Sequence, residues 1–277
     1  MRLGEASGEV GEDGAIVFMP YNLSADSAEA ILGQLPPGVS VGWPVEDWSL
    51  RPVRWGRIWR HAAGRHVLYE LPLPPYDNPV WDRAKLWTSV EPIYRQAMAE
   101  GGLVVHGALI DCGGVGAILA APGGTGKTTC ARRAPSHWRA LADDEALVVR
   151  DREGRYWAHP FPNWSHCVEV NDDLSWDVEE HVSVGGIFFL EQAEEDRVIP
   201  LPSASAAVLL NATSLADWGP LSWLWLPPQE EQAVKRDVFR SVCQVADEVP
   251  GFRLRFSLTG PFWQEVERVL PKVDSGP

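Results

Sequence analysis

Basic residues are scarce in this chain. Its 24 lysines and arginines are outnumbered by 38 aspartates and glutamates, which leaves a formal net charge of −14 at neutral pH. That deficit argues against a nucleic-acid backbone as the main ligand, because such binding relies on clustered Lys and Arg to neutralise phosphates. A protein or peptide partner, of basic character, fits better. Cysteine is sparse too. Cys112, Cys130, Cys167 and Cys243 are widely spaced with no CxxC pair, which excludes a disulfide framework and leaves reduced core thiols. His159, His166 and Cys167 lie close together, but their spacing matches no common zinc pattern. Long apolar runs are missing: stretches such as Val184 to Leu190 fall far short of the roughly 20 residues a membrane span needs. No basic-then-apolar segment opens the chain, so a cytoplasmic protein without membrane contact is expected. No repeat with a period of about 20 to 50 residues is present, which excludes a solenoid or propeller.

What is present fits an ordinary globular protein, with 45% hydrophobic and 22% charged residues. A length of 277 residues allows one large α/β domain, or a core of roughly 150 to 180 residues with a smaller partner. The first hundred residues are rich in Pro, Gly and Trp. They carry short apolar stretches, Ala15 to Met19 and His66 to Leu71, between turn signals such as Pro36-Pro37-Gly38 and Leu73-Pro74-Pro75. They read as a strand-containing lobe over residues 1–100, ahead of a larger domain over residues 101–277. Fourteen tryptophans are a marked excess. Trp43, Trp48, Trp55 and Trp59 leave two readings open: an aromatic surface that binds peptide, or the packed core of a small lobe. Apolar positions from Trp81 to Ala99 recur at near-helical intervals and predict a helix that stops at Gly101-Gly102.

Leu103 to Ile110 and Val115 to Ala120 then read as the strands of a hairpin that turns at Gly113-Gly114. The second strand runs directly into Ala121-Pro122-Gly123-Gly124-Thr125-Gly126-Lys127-Thr128-Thr129, the spacing of a phosphate-binding loop between a strand and a helix. Backbone amides of Gly123, Gly124, Thr125 and Gly126 would cradle a triphosphate. Lys127 would reach its β- and γ-phosphates, and the hydroxyl of Thr128, followed by Thr129, would sit on Mg²⁺. One position departs from the strict pattern GxxxxGK[ST], since alanine replaces glycine at 121. The helix must be short, because Pro135 blocks its continuation.

Trp138 to Ala142 reads as a strand ending in Asp143-Asp144, 16 and 17 residues after Lys127. Ligands meet an open α/β sheet at the carboxyl ends of its strands. The pair is therefore placed to hold Mg²⁺ and to orient or deprotonate an attacking hydroxyl; a solvated acidic turn is the other reading. Ala146 to Arg150 and Arg155 to His159 read as a hairpin around Asp151-Arg152-Glu153-Gly154. Gly185 to Leu190 reads as a buried strand ended by Glu191, which either touches a metal shell or caps the strand. A helix near Glu230 to Val245, a strand at Phe252 to Leu258 and a helix from Pro261 to Leu270 follow. Arg253 and Arg255 alternate with Phe252 and Leu254, so they share one face, as a clamp for phosphate or carboxylate or as plain surface arginines of an edge strand.

His106-Gly107-Ala108-Leu109-Ile110, then Gly114-Val115-Gly116-Ala117-Ile118-Leu119, the glycine-rich loop and Leu141-Ala142-Asp143-Asp144 resemble, in order and spacing, the catalytic core of the HPr kinase/phosphorylase family. Ala158-His159-Pro160-Phe161-Pro162, Gly186-Ile187-Phe188-Phe189-Leu190-Glu191-Gln192, Leu254-Arg255-Phe256 and Phe262-Trp263 narrow the resemblance. They look closest to the shorter kinase-like proteins encoded with ribosomally made peptides: the SynChlorMet cassette protein and the kinases that phosphorylate lasso-peptide precursors. The resemblance covers roughly residues 100 to 270. It implies an α/β fold with a P-loop kinase core of the HPr kinase and phosphoenolpyruvate carboxykinase type, so that residues 101–277 would be the catalytic domain. It implies Asp143 as the base for a serine hydroxyl, Asp144 in support or on the metal, and His106 beside the phosphates. Without the resemblance, His106 reads as a hydrogen-bonded structural residue at a strand start. The glycine-rich signature that supports phosphorolysis in HPr kinases has no counterpart between Val168 and Pro200, so neither that activity nor HPr as substrate is expected.

The expected function is an ATP- and Mg²⁺-dependent kinase that transfers the γ-phosphoryl group to a serine or other hydroxyl of a peptide or protein, such as a ribosomally made precursor. Lys127, Asp143 and His106 form its expected catalytic set. A small-molecule kinase, acting for example on free serine, and a non-catalytic nucleotide-binding regulator are the alternatives. The oligomeric state stays open.

Overall fold

The computed structural model describes residues 15–20, 29, 45–53, 56–62, 66–71, 90–161, 177, 179–214 and 228–271. The chain divides into two compact units, residues 1–92 with 223–225, and residues 93–222 with 226–277. The division falls at the start of a helix, α1 (Glu91–Ala99), whereas the composition shift places it near residue 100. The amino-terminal part of the helix predicted from Trp81 lies outside the described residues, as do Trp43, Trp55, His166 and Cys167.

The first unit holds a four-stranded sheet in the order β1-β4-β3-β2. Its strands are β1 (Ala15–Pro20), β2 (Trp48–Val53), β3 (Gly56–His61) and β4 (His66–Leu71). β1 is parallel to β4, and the other pairings are antiparallel. Ile58, Trp59, Val67, Leu68 and Tyr69 are buried, and so is Glu70. A carboxylate tolerates burial only when charged or polar donors face it. Arg57 Nη2 donates to Glu70 Oε1 at 2.8 Å, and Trp59 Nε1 donates to Oε2 at 2.7 Å. Trp48 and Trp59 are thus packing residues of this unit, not members of an exposed aromatic surface.

The second unit is mixed α/β. Its strands are β5 (Leu103–Asp111), β6 (Val115–Ala120), β7 (Arg139–Ala142), β8 (Glu145–Arg150), β9 (Tyr156–Pro160), β10 (Val182–Gln192), β11 (Arg197–Pro200) and β12 (Gly251–Phe256). The helices are α2 (Lys127–Arg132), α3 (Ser203–Thr213), α4 (Pro228–Glu248) and α5 (Phe262–Val269). The eight-stranded sheet runs β11-β12-β10-β6-β5-β8-β9, with β7 beside β5. Among the described strands of this sheet the parallel pairings are β6 with β10 and β10 with β12. The start of β10 also pairs with β9, so β10, β6, β5, β8 and β9 curl back on themselves. All six residues of β6 are buried, as expected of a central parallel strand covered on both faces. On one face Ala117, Leu119, Phe188, Leu190, Phe252 and Leu254 pack with Cys130 of α2 and with Phe262 and Val266 of α5. α3 and α4 lie against the other face.

The hairpins expected at Gly113-Gly114 and around Gly154 are present, with φ of 78°, 93° and 86° at the three glycines. A left-handed backbone costs glycine little and other residues more. β2, β3, β11 and α3 are additions that sequence reading did not supply.

Candidate functional site

β5 changes partner halfway along its length. Leu103 to His106 pair with β8, while Gly107 to Asp111 pair with β6 on the other side. β7 joins β5 on the β8 side, and Asp143-Asp144 forms the bend between β7 and β8. The Gly107 N–H donates to the Asp144 carbonyl at 2.8 Å, and the Ala121 N–H donates to the His106 carbonyl at 3.3 Å. Two consecutive residues of one strand therefore hold both the acidic bend and the start of the glycine-rich loop. Gly107 permits this approach: a Cβ there would lie 3.0 Å from the Leu119 carbonyl oxygen and 3.1 Å from Ala120 Cα.

Side chains converge at the same place. His106 sits in the middle of β5 rather than at its start, on the face that carries Ala108 and Ile110 and packs against α2. Lys127, the first residue of α2, is only 6% exposed. Its Nζ donates to His106 Nε2 at 2.8 Å, to the Ala121 carbonyl at 3.0 Å and to the Pro122 carbonyl at 3.4 Å. Asp144 Oδ1 lies 3.9 Å from that Nζ and 3.5 Å from His106 Nδ1. An ammonium can only donate. His106 Nε2 must then accept, which leaves the proton of the neutral ring on Nδ1, facing Asp144. Burial holds His106 below its ordinary value of 6.5; Asp144 opposes this and Lys127 reinforces it. Burial likewise holds Lys127 down, against the pull of Asp144, Asp143 and Glu145.

Glu145 is a member that sequence reading passed over. It stands directly across from His106 in the β5–β8 register and is 3% exposed. Ligand-type atoms of His106, Asp144 and Glu145 all lie within 4.8 Å of one another. Its signal was a third acid that continues Asp143-Asp144 into an apolar strand. Behind it Tyr94 of α1 is fully buried, and that burial, with the charge of Glu145, pushes its phenol far up.

The loop closes the site at the carboxyl ends of the three parallel strands. It leaves β6 at Ala121, its Thr125 carbonyl accepts from Gln192 Nε2 at the end of β10 at 3.0 Å, and Gly126 packs on Phe256 at the end of β12. Gly124 and Gly126 take φ of 77° and 115°. A Cβ at Gly123 or Gly124 would meet nothing within 4 Å, so the outer side of the loop is open. Ala121, where the strict pattern has glycine, is buried in the core beside Cys130, which explains how a methyl group is accommodated there. Thr128 and Thr129 continue into α2, the first half-buried and the second exposed. α2 lacks a side-chain cap; Arg133 anchors its far end by donating to the carbonyls of Ser257, at 2.9 Å, and Gly260.

A family model described as SynChlorMet cassette protein ScmC matches residues 78–271, well over half of the chain. The chain belongs to this family. The stretch matched to the SynChlorMet cassette family takes in α1, every strand of the larger sheet, the loop and the residues gathered at His106. No curated protein matches the chain.

Other expected groups lie elsewhere. Glu191 is inside β10, not past its end, and pairs with Arg253 and Arg255. β12 is flanked by β11 and is not an edge strand. Cys112, Cys130 and Cys243 are free thiols, and burial pushes Cys130 up to about 12. Among the described residues no helix is long and apolar enough to cross a membrane.

Proposed function

We propose that this chain is an ATP- and Mg²⁺-dependent kinase with an HPr kinase-like P-loop core, which transfers the γ-phosphoryl group to a serine or other hydroxyl of a peptide. One observation carries the reading. Lys127, His106 and the Asp143-Asp144 bend converge beside an open glycine-rich loop, at the carboxyl ends of parallel strands where α/β sheets take ligands. Loop amides from Gly123 to Gly126 would receive the triphosphate. Lys127 already has three acceptors, of which the Pro122 carbonyl at 3.4 Å is the longest. Exchange of that contact for a phosphate oxygen is the least disruptive way for it to engage the nucleotide.

The oxygen donors fit a divalent ion that prefers oxygen: Asp144 with Glu145 behind it and the Thr128 hydroxyl at the start of α2, while His106, its Nε2 occupied by Lys127, stands beside Asp144. Such an ion would neutralise charge on the phosphates. Asp144 meets His106 and Lys127, and Asp143 beside it in the bend takes the role of base that the resemblance to HPr kinases implies. It would take the proton of the acceptor hydroxyl as that oxygen bonds to the γ-phosphorus and the bridge to the β-phosphate breaks, releasing ADP.

Incubation with ATP, Mg²⁺ and either serine peptides, free serine or buffer, followed by mass spectrometry, tests this. Asp143→Asn should abolish phosphate transfer while nucleotide affinity stays within about threefold. Lys127→Ala should weaken nucleotide binding by about tenfold or more. Undiminished transfer by Asp143→Asn would remove the base assignment, and ADP without a phosphorylated product would favour a regulatory ATPase.

A further inference from the structure

We propose that the cavity at the carboxyl ends of β10 and β12 receives the nucleoside of the bound triphosphate, a reading that rests on the nucleotide-dependent function above. Strand order gives the nucleotide its direction. His106 and the Asp143-Asp144 bend lie on the β5 side of β6, so the γ-phosphate to be transferred has to face that side. The α-phosphate and the nucleoside must then leave the glycine-rich loop on the other side, where β10 and β12 follow β6 in the sheet. Ligands of open α/β sheets lie along this carboxyl edge.

The edge holds a cavity of about 480 Å³, within the range of about 300 to 1,000 Å³ that small-molecule sites occupy. Three segments wall it: the turn Glu194 to Asp196 after β10, the bend Ser257 to Pro261 after β12, and Gln264 and Glu265 in the first turn of α5. The same two strands tie it to the loop. Gln192 at the end of β10 donates to the Thr125 carbonyl, and Phe256 at the end of β12 underlies Gly126. Arg133 donates to the carbonyls of Ser257 and Gly260, so the helix that begins with Lys127 also braces a wall of the cavity.

Hydrogen bonds fix those walls. The Ser257 N–H donates to Asp196 Oδ1 at 2.6 Å, the Gly260 N–H to Ser257 Oγ at 2.8 Å, and the Val198 N–H to Glu265 Oε2 at 3.2 Å. A Cβ on Gly260 would collide with Asp196 Oδ2, so the two walls close only on glycine. Asp196 and Glu265 are thereby committed to the structure. The side chains of Glu194, Glu195, Thr259 and Gln264 line the cavity with no hydrogen bond or ion pair among the described residues.

Their chemistry suits a nucleoside and excludes a phosphate. Ionised carboxylates only accept, so they repel phosphate oxygens and take donors such as ribose hydroxyls and the exocyclic amine of a base. A carboxylate on the ribose hydroxyls also holds the sugar in dinucleotide sites. The Thr259 hydroxyl and the Gln264 amide add donors for the ring nitrogens. Acids on this side and Lys127 at the loop therefore set one direction, with the phosphates on the loop and the nucleoside in the cavity.

The test uses the full chain and compares Mg²⁺-ATP with Mg²⁺-tripolyphosphate, which carries three phosphates and no nucleoside, by isothermal titration calorimetry. Wild type should bind ATP about tenfold more tightly. Glu194→Ala with Glu195→Ala and, separately, Gln264→Trp, which fills the cavity, should each weaken ATP by about fivefold or more and leave tripolyphosphate binding undiminished. Equal affinity of wild type for the two ligands overturns the proposal, as does a ratio of the two affinities that stays at its wild-type value in both variants. Weaker serine-peptide binding at an unchanged ratio would give the cavity to a basic segment of the peptide and overturns it too. Calorimetry needs no phosphoryl transfer. A ratio that falls in the variants without any transfer would therefore sink the kinase reading and keep the nucleoside site, whereas transfer with an unchanged ratio would do the reverse.

Discussion

At the scale of single residues, the site is governed by what burial does to a cation beside an imidazole. Burial pulls Lys127 down against the acids Asp144, Asp143 and Glu145, and burial, reinforced by Lys127 and opposed by Asp144, disfavours a second proton on His106. A stability consequence follows with a definite sign. A group held below its unfolded-state pKa binds fewer protons folded than unfolded, so its contribution is complete above 6.5 and is lost as pH falls toward the folded value. His106→Gln should therefore lose less thermal stability than wild type on acidification below pH 6.5, measured as Tm in parallel melts. A steeper loss in the variant would contradict the neutral, Nδ1-protonated ring.

At the scale of elements, β5 organises everything around it. Its partner change at His106 and Gly107 brings the β7–β8 bend and the end of β6 to neighbouring positions, and only a residue without a side chain fits at 107. Gly107→Ala should force β6 outward by a few tenths of an ångström at the point where the loop begins. Such overpacking costs about 1 to 3 kcal/mol. In a unit of this size that lowers Tm by about 2 to 12 °C, and nucleotide affinity should fall with it. A variant with unchanged melting would show that β6 yields freely. The loop, the two hairpins and the short α2 were legible in sequence because each rests on residues a few positions apart: the spacing of the loop, the glycines of the turns, and Pro135 beyond the helix. α3 was not, since Ser203-Ala204-Ser205-Ala206-Ala207-Val208 shows no clear apolar stripe. The described residues of the first unit show why its tryptophans were ambiguous: burial of Trp59 depends on Glu70, which sequence spacing does not reveal.

At the scale of the molecule, acidity sets behaviour in solution and the sheet sets chemistry. With a sequence pI near 4.9, the chain should be least soluble close to that pH and should clear steadily toward neutrality. Turbidity scans from about pH 4 to pH 8 would measure this, and a minimum displaced toward neutral pH would show that the net charge does not dominate.

The sequence by itself determined the net charge, the spacing of the glycine-rich loop, the hairpins flanking it and the acidic pair that follows, because all of these are properties of contiguous residues. Tertiary structure alone decided that Glu145 faces His106, that Asp144 meets both His106 and Lys127, and that Glu191 ties two arginines on the sheet face. Those juxtapositions are set by strand register and strand order, which join positions far apart in the chain. No local preference specifies them until the sheet is assembled.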